Sequence, residues 1–281
     1  MRQTPLPPID LTAILPAYAP KARKTVRLHP RSGVCGLDES KLGGIFLMPK
    51  DEPWPYDAES GFPLIPILQL RIEDVPEIGF PQGKDLFQLF WCFNEILVCK
   101  VFWRNRSEIT DPLVELPEDV LIEMEENAAC YPTPCILHPE RVIEYPHIFD
   151  LADFYPELDE ALETSKALKK AIASIPDLEY DEPSDVYQDL LSTADGTKVG
   201  GYPNWVQDPE APEDMEYLLT ISSCECDEAT CLRWLPKEDR DNWDESVTNA
   251  ANLMLGDMGN VNVFINRQRE DYPVVGIFQC S

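Results

Sequence analysis

Histidine, glycine and positive charge are all scarce in this sequence, and long apolar runs are missing. Only three histidines occur, His29, His138 and His147, each beside a proline, which leaves little material for imidazole catalysis. No G-x-S-x-G elbow is present, so the usual serine-hydrolase signal is missing. The chain has 13 glycines against 27 prolines, a balance that favours many loops of fixed φ over long helices. No apolar run approaches the roughly 18 residues that a membrane helix needs, and the mean hydropathy is -0.27. The opening Met-Arg-Gln-Thr-Pro-Leu-Pro-Pro has neither an apolar centre nor a small-residue cleavage site, so no secretory signal is expected.

Acidic residues, by contrast, abound. Fifty-one Asp and Glu face 23 Lys and Arg, for a net charge of -28. Such a surface repels nucleic-acid phosphate and anionic lipid, which argues against nucleic-acid or membrane partners. It keeps the protein soluble and attracts basic proteins. Nine cysteines, an odd number in 281 residues, do not read as a disulfide framework, and a reducing cytoplasm is the expected location.

A repeat organises the chain. Lys41-Leu42-Gly43-Gly44 followed by an apolar run returns as Lys198-Val199-Gly200-Gly201-Tyr202-Pro203. Each diglycine precedes a tryptophan in a proline-containing loop, Trp54 in the first copy and Trp205 in the second. Apolar runs then predict strands at Ile45–Met48, Pro63–Leu70, Asp85–Phe93 and Ile96–Trp103, with counterparts at Glu216–Ser222, Asn260–Ile265 and Pro273–Phe278. Thr25–Leu28 and Arg141–Tyr145 read as further strands. Helices are expected at Leu11–Leu15 behind Asp10, at Glu118–Asn127, at Glu157–Ser174 and at Asp185–Thr193. The expected fold is α+β and predominantly β. Two pseudo-symmetric β-rich repeats, about 24–106 and 185–281, merge into one compact body spanning 1–281 with a helical insert, about 107–184, between them.

Taken in order, several segments resemble a known family. They are the Lys-x-Gly-Gly pair, Trp54-Pro55, Pro63-Leu64 to Gln69-Leu70, Gly200 to Gln207, Leu255-Gly256-Asp257-Met258-Gly259 and the final Phe278-Gln279-Cys280-Ser281. Together they are similar to the YwqG-like domain of unknown function over residues 38–281. The resemblance implies a compact, largely β fold with internal pseudo-symmetry and no established activity or cofactor. Its members are sometimes associated with bacterial toxin–immunity loci. This chain departs from the pattern at Leu255, where an aromatic is common, and in a longer, cysteine-bearing stretch from Cys224 to Asn252.

Each candidate site has a plainer structural reading beside it. The diglycines can aim backbone N–H groups at an anion, with Lys41 and Lys198 supplying charge, or serve only as positive-φ corners. Cys224, Cys226 and Cys231 form a C-x-C-x4-C set that can offer zinc three thiolates on an acidic loop, or remain free thiols. Asp257 is a candidate carboxylate or a turn residue. Trp54 and Trp205, with Gln207, can wall a cleft between the repeats or anchor loops. Bound zinc is the one cofactor considered, and none is the favoured expectation. The leading functional expectation is a non-enzymatic cytoplasmic binding module, immunity-type in one form, that masks a basic protein. The alternative is a hydrolase or metal-dependent enzyme with its site in the cleft between repeats.

Overall fold

Prolines and positive-φ glycines cut the chain into short elements. In the computed structural model, which describes residues 2–94, 96–147, 160, 164–174, 183–242 and 244–280, helix α1 (Leu11–Ile14) opens behind Asp10, whose side chain accepts from the Ala13 N–H. Strands β1 (Arg23–Arg27), β2 (Arg31–Ser32), β3 (Lys41–Leu42), β4 (Ile65–Arg71), β5 (Leu86–Asn94) and β6 (Ile96–Arg104) follow. Helix α2 (Glu118–Glu126) leads to β7 (Cys135–Ile136) and β8 (Glu140–Glu144). Next come α3 (Lys166–Ile172), α4 (Pro183–Leu190), β9 (Lys198–Gly200), β10 (Glu216–Ser222), α5 (Cys231–Trp234), α6 (Glu245–Thr248), β11 (Asn260–Ile265) and β12 (Val274–Gln279). Of the expected helix at Glu157–Ser174, α3 is the described part, capped by Ser165, while residues 157–159 and 161–163 lie outside the described residues. Ile45–Met48, expected as a strand, is irregular. Gly43 and Gly44 both take positive φ, 66° and 76°, and turn the chain out of the sheet before a ladder can continue.

Among the described residues, twelve strands form two six-stranded antiparallel sheets, in the orders β2-β7-β3-β4-β5-β6 and β8-β1-β9-β10-β11-β12. The expectation of a β-rich α+β fold holds, and the likeness between its halves extends to register. Lys41 lies opposite Gln69 and Gln69 opposite Gln88; Lys198 lies opposite Thr220 and Thr220 opposite Asn262. A register shift falls between Pro66 and Leu68 in one sheet and between Tyr217 and Leu219 in the other. Beneath each diglycine corner a side-chain amide grips the loop. Gln69 accepts from the Leu47 N–H and Gln88 donates to the Leu47 carbonyl, while Asn262 both accepts from and donates to the Asn204 backbone.

A ladder of distant segments joins the sheets. Arg23 through Arg27 pair with Glu144 through Glu140 in one sheet, and Arg31 and Ser32 pair with Ile136 and Cys135 in the other. Between them the His138 N–H donates to the Leu28 carbonyl at 2.7 Å. The stretch read as a helical insert therefore supplies a strand to each sheet. Arg27 pairs with Lys198, and Ile136 pairs with Lys41. That correspondence aligns Leu28-His29-Pro30 with Leu137-His138-Pro139, a second repeated motif placed where the halves meet.

One apolar core draws on both sheets. Ile67, Leu70, Phe87 and Trp91 from the first meet Val199, Ile221, Val261 and Val263 from the second. At full burial each such side chain contributes roughly 1.5–3 kcal/mol. The β6 and β12 edges also meet. A Cβ added to Gly276 would stand 2.6 Å from the Cys99 sulfur, so only glycine allows this approach.

Substitution separates a packed corner from a free one. Gly201 has φ 77°, and an added Cβ would lie 2.1 Å from Glu144 Oε1. Gly61 has a similar φ of 74° with nothing within 4 Å. Gly61→Ala is expected to cost about 1 kcal/mol of backbone strain, whereas Gly201→Ala adds displacement of a buried carboxylate and should cost at least about twice as much. Chemical denaturation of both variants checks the ordering; equal losses would mean that the Glu144 contact contributes nothing.

Candidate functional site

Both diglycine corners share their backbone, with Gly200 and Gly201 at φ 70° and 77°, but their lysines meet different partners. Lys41 Nζ donates to the Gly36 and Leu37 carbonyls at 2.6 and 3.1 Å. Burial pulls its pKa down to about 8. Lys198 is fully buried and its Nζ donates to Glu144 Oε1 at 2.7 Å and to Thr193 Oγ1. The Tyr202 N–H donates to the same carboxylate oxygen, also at 2.7 Å. The second corner does cradle an anion, and that anion is Glu144 of the chain itself. At the first corner the Gly43 N–H donates to the Ile67 carbonyl. The expectation of two anion sites open to a ligand is corrected accordingly.

The tryptophans occupy different loop positions yet cover corresponding rings. Trp54 meets Phe90 edge-on and its Nε1 donates to the Leu64 carbonyl; Trp205, 2% exposed, stacks on Phe264. Phe90 and Phe264 alternate with core residues along β5 and β11, so they face away from the shared core. The cleft expected between the repeats is instead that packed core; Trp54 packs against both this core and the Phe90 cluster, while Trp205 covers Phe264 on the other sheet. The Gln207 N–H donates to Gln279 Oε1 on β12. Asp257 sits exposed in the turn between Gly256 and Gly259.

The cysteine set is also corrected. Cys226 and Cys231 form a disulfide, so these two sulfurs are not thiolates available to zinc. Cys224 is a separate, buried thiol, pushed up from its ordinary range by burial and by the Asp195 carboxyl beside it. Among the described residues no group of three or more His, Cys, Asp or Glu side chains is arranged to hold a metal.

A polar centre lies instead against the second sheet, next to the doubled Leu-His-Pro motif. His29, wholly buried and at φ 43°, approaches Glu140 through Nε2 at 3.0 Å and Glu225 through Nδ1 at 3.9 Å. Burial lowers its pKa, outweighing the Glu140 hydrogen bond and the Glu225 charge. Arg27, also wholly buried, donates to the carbonyls of Asp195 and Glu225. Its guanidinium lies 4.6 Å from the Trp234 ring centre and that of Arg233 lies 4.1 Å from it. Asp195 is raised to about 6 by burial and by Asp227.

This centre borders the surface through Glu140 and Arg233. Two adjoining cavities of about 480 Å³ each run beneath the N-terminal arm, sharing Leu6, Pro7, Ile143 and Arg233. The chemistry on offer is a carboxylate–imidazole–carboxylate row with its proton-bearing ring shut from solvent, and a cation at the cavity wall. Pattern reading missed all of these residues. One signal was there: Leu28-His29-Pro30-Arg31 and Leu137-His138-Pro139-Glu140 repeat each other as plainly as the diglycines do.

Comparison with curated proteins returns no match. A family model described as a domain of unknown function, DUF1963, matches residues 40–271. That span takes in both diglycine corners and strands β3 to β11, and the chain belongs to this family.

Proposed function

We propose that the protein is a binding module for a basic, amphipathic polypeptide. The observation that carries this reading is one surface on which acids and apolar side chains alternate. Tyr56 pairs with Pro63 in an isolated bridge beside Phe62, and the Tyr56 hydroxyl donates to Asp119 of α2 at 2.6 Å. Backbone bonds from Lys50 to Asp111 and from Leu113 to Met48 tie the same loop to the segment before α2. On this surface Val114 is 60% exposed, Leu121 52% and Ile122 49%. Around them Asp51, Glu59, Asp111, Glu118, Asp119 and Glu125 are exposed, and Lys50 is the sole cation in 48–63 and 107–127. Exposed apolar area rimmed by one sign of charge fits a partner of the opposite sign.

Within the family, the Lys-x-Gly-Gly, Trp54-Pro55 and Gly200–Gln207 motifs support the reading of a YwqG-like member. An immunity-type role, masking the basic face of a toxin in the cytoplasm, is one form of the reading. A fluorescent helical peptide with Lys and Leu on opposite faces provides the test. It is expected to bind the full-length protein at low salt and to weaken steeply by 0.5 M salt, beyond the range of unscreened attraction. Replacing Leu121 and Ile122 together by Ser should weaken it about tenfold or more. Unchanged affinity in that double variant would refute this surface as the site.

A further inference from the structure

We infer that the paired cavities beneath the N-terminal arm form a site for an amphiphilic monocarboxylate, with Arg233 holding the carboxylate and the apolar trough holding an aliphatic tail. The inference is independent of the peptide surface, which lies on other elements. Arg233 belongs to the four-residue helix α5 and is 3% exposed. Its Nη1 donates to Thr4 Oγ1 at 2.9 Å and to the Pro5 carbonyl at 2.7 Å. Its Nε is buried without an acceptor, and among the described residues no carboxylate lies within ion-pair distance of it. Arg27, the neighbour sharing Trp234, likewise has no ion pair among the described residues and leaves Nε and Nη1 unmet. Two buried guanidinium groups with no ion pair among the described residues stand behind this wall, and Glu140 is a carboxylate that shares it with Arg233. Burial, with the Arg27 charge, pulls Arg233 down to about 10, outweighing the opposing charges of Glu140 and Glu144.

The shape of the site selects the rest of the ligand. From Arg233 one cavity leads past Ile9, Leu11, Tyr145, Leu190 and Leu191, a mostly apolar trough with Asp10 and Thr12 also in its lining. The other is lined by Glu140, Lys24 and the ion-paired Arg141 and Glu77. A guanidinium fork matches a carboxylate in two parallel hydrogen bonds, and removing a buried cation from isolation is worth far more than a surface pairing. Glu140, facing the same wall, disfavours a doubly charged head such as a phosphate. About 480 Å³ per cavity lies in the ordinary range for small-molecule sites. The acidic surface slows approach of an anion, but at physiological salt that repulsion fades beyond about 8 Å, while contact with Arg233 is unscreened.

The test titrates the full-length protein with decanoate, 1-decanol and decyltrimethylammonium, each below its micelle concentration, by calorimetry and by tryptophan fluorescence, since Trp234 adjoins the site. Saturable binding of decanoate is expected, at least about tenfold tighter than the alcohol, with the ammonium weakest. Ile143→Glu alters an edge-strand side chain already 42% exposed, so the fold should survive while a carboxylate enters the trough mouth; decanoate affinity should fall about tenfold or more. Arg233→Gln should erase the preference for decanoate over decanol. Absence of saturable decanoate binding, equal affinity for alcohol and carboxylate, or an Ile143→Glu variant that binds decanoate as the wild type does would each overturn the site. The head-group series and Ile143→Glu decide the matter even if Arg233→Gln does not fold.

Discussion

Lys198→Met is expected to destabilise the protein by about 3–5 kcal/mol, and Lys41→Met by only about 1–2 kcal/mol, although the two lysines hold corresponding places in the sheets. The difference lies in what each leaves behind. Lys198 and Glu144 are both wholly buried, and Glu144 Oε2 already lacks a partner. Burial keeps the Lys198 pKa below its ordinary value even with Glu144 beside it. Without the ammonium, the carboxylate keeps the Tyr202 N–H at 2.7 Å and no counter-ion, which is the costly case of a lone buried charge. Lys41 leaves two carbonyls behind instead of a carboxylate. The double variant Lys198→Met/Glu144→Leu removes both charges and should recover most of the loss, because a buried ion pair and a packed apolar pair are close in energy. Urea midpoints for the four proteins test this. Equal costs at the two lysines, or a double variant less stable than Lys198→Met, would contradict the account.

How far the sequence foretells this structure depends on the range of the interaction involved. Strands β10 and β11 coincide with the runs Glu216–Ser222 and Asn260–Ile265, since β-branched and aromatic residues bounded by breakers encode a strand locally. The diglycine corners were legible for a similar reason: two consecutive positive-φ positions admit little but glycine. The tryptophans misled because a loop can deliver a ring to the same place from different positions. Trp205 stands four residues past its diglycine and Trp54 ten past its own, yet they cover corresponding phenylalanines. The polar centre was hidden for another reason. Its arginines and glutamates come from β1, β8, α5 and the segment before α5, and in a chain so rich in acids no single Glu stands out. The ladder that gathers them pairs residues more than a hundred positions apart, and only the doubled Leu-His-Pro motif advertises it.

Acid is expected to unfold the protein well above the pH at which most of its carboxylates protonate, through its buried and half-buried histidines. His138 is brought down to about 4 by burial, with Arg2 and Arg31 adding to it. His147 is likewise brought down to about 4 by burial and Lys198, and His29 is lowered too. In the unfolded chain each would titrate near 6.5. The native state thus holds fewer protons than the unfolded state below that value, and stability falls with pH in this window. The histidine contribution is fully present above about 6.5 and is lost as pH drops from there toward 4; two pH units below 6.5 the loss is roughly 2–3 kcal/mol for the buried His147 and smaller for the half-buried His138, where solvent screens the charges. Asp195, raised to about 6 by burial, works the other way. Its contribution is lost as pH rises through 6, so it offsets part of one histidine's effect. Glu140, Asp74 and Asp239, each held below the ordinary carboxylate range, add their losses only at lower pH. The melting temperature should therefore fall steeply between pH 6.5 and 4.5, and His138→Gln/His147→Gln should flatten that slope even if it lowers stability at pH 7.5. A melting temperature level across this window, or a double variant with the wild-type slope, would mean that these imidazoles do not remain neutral in the native protein.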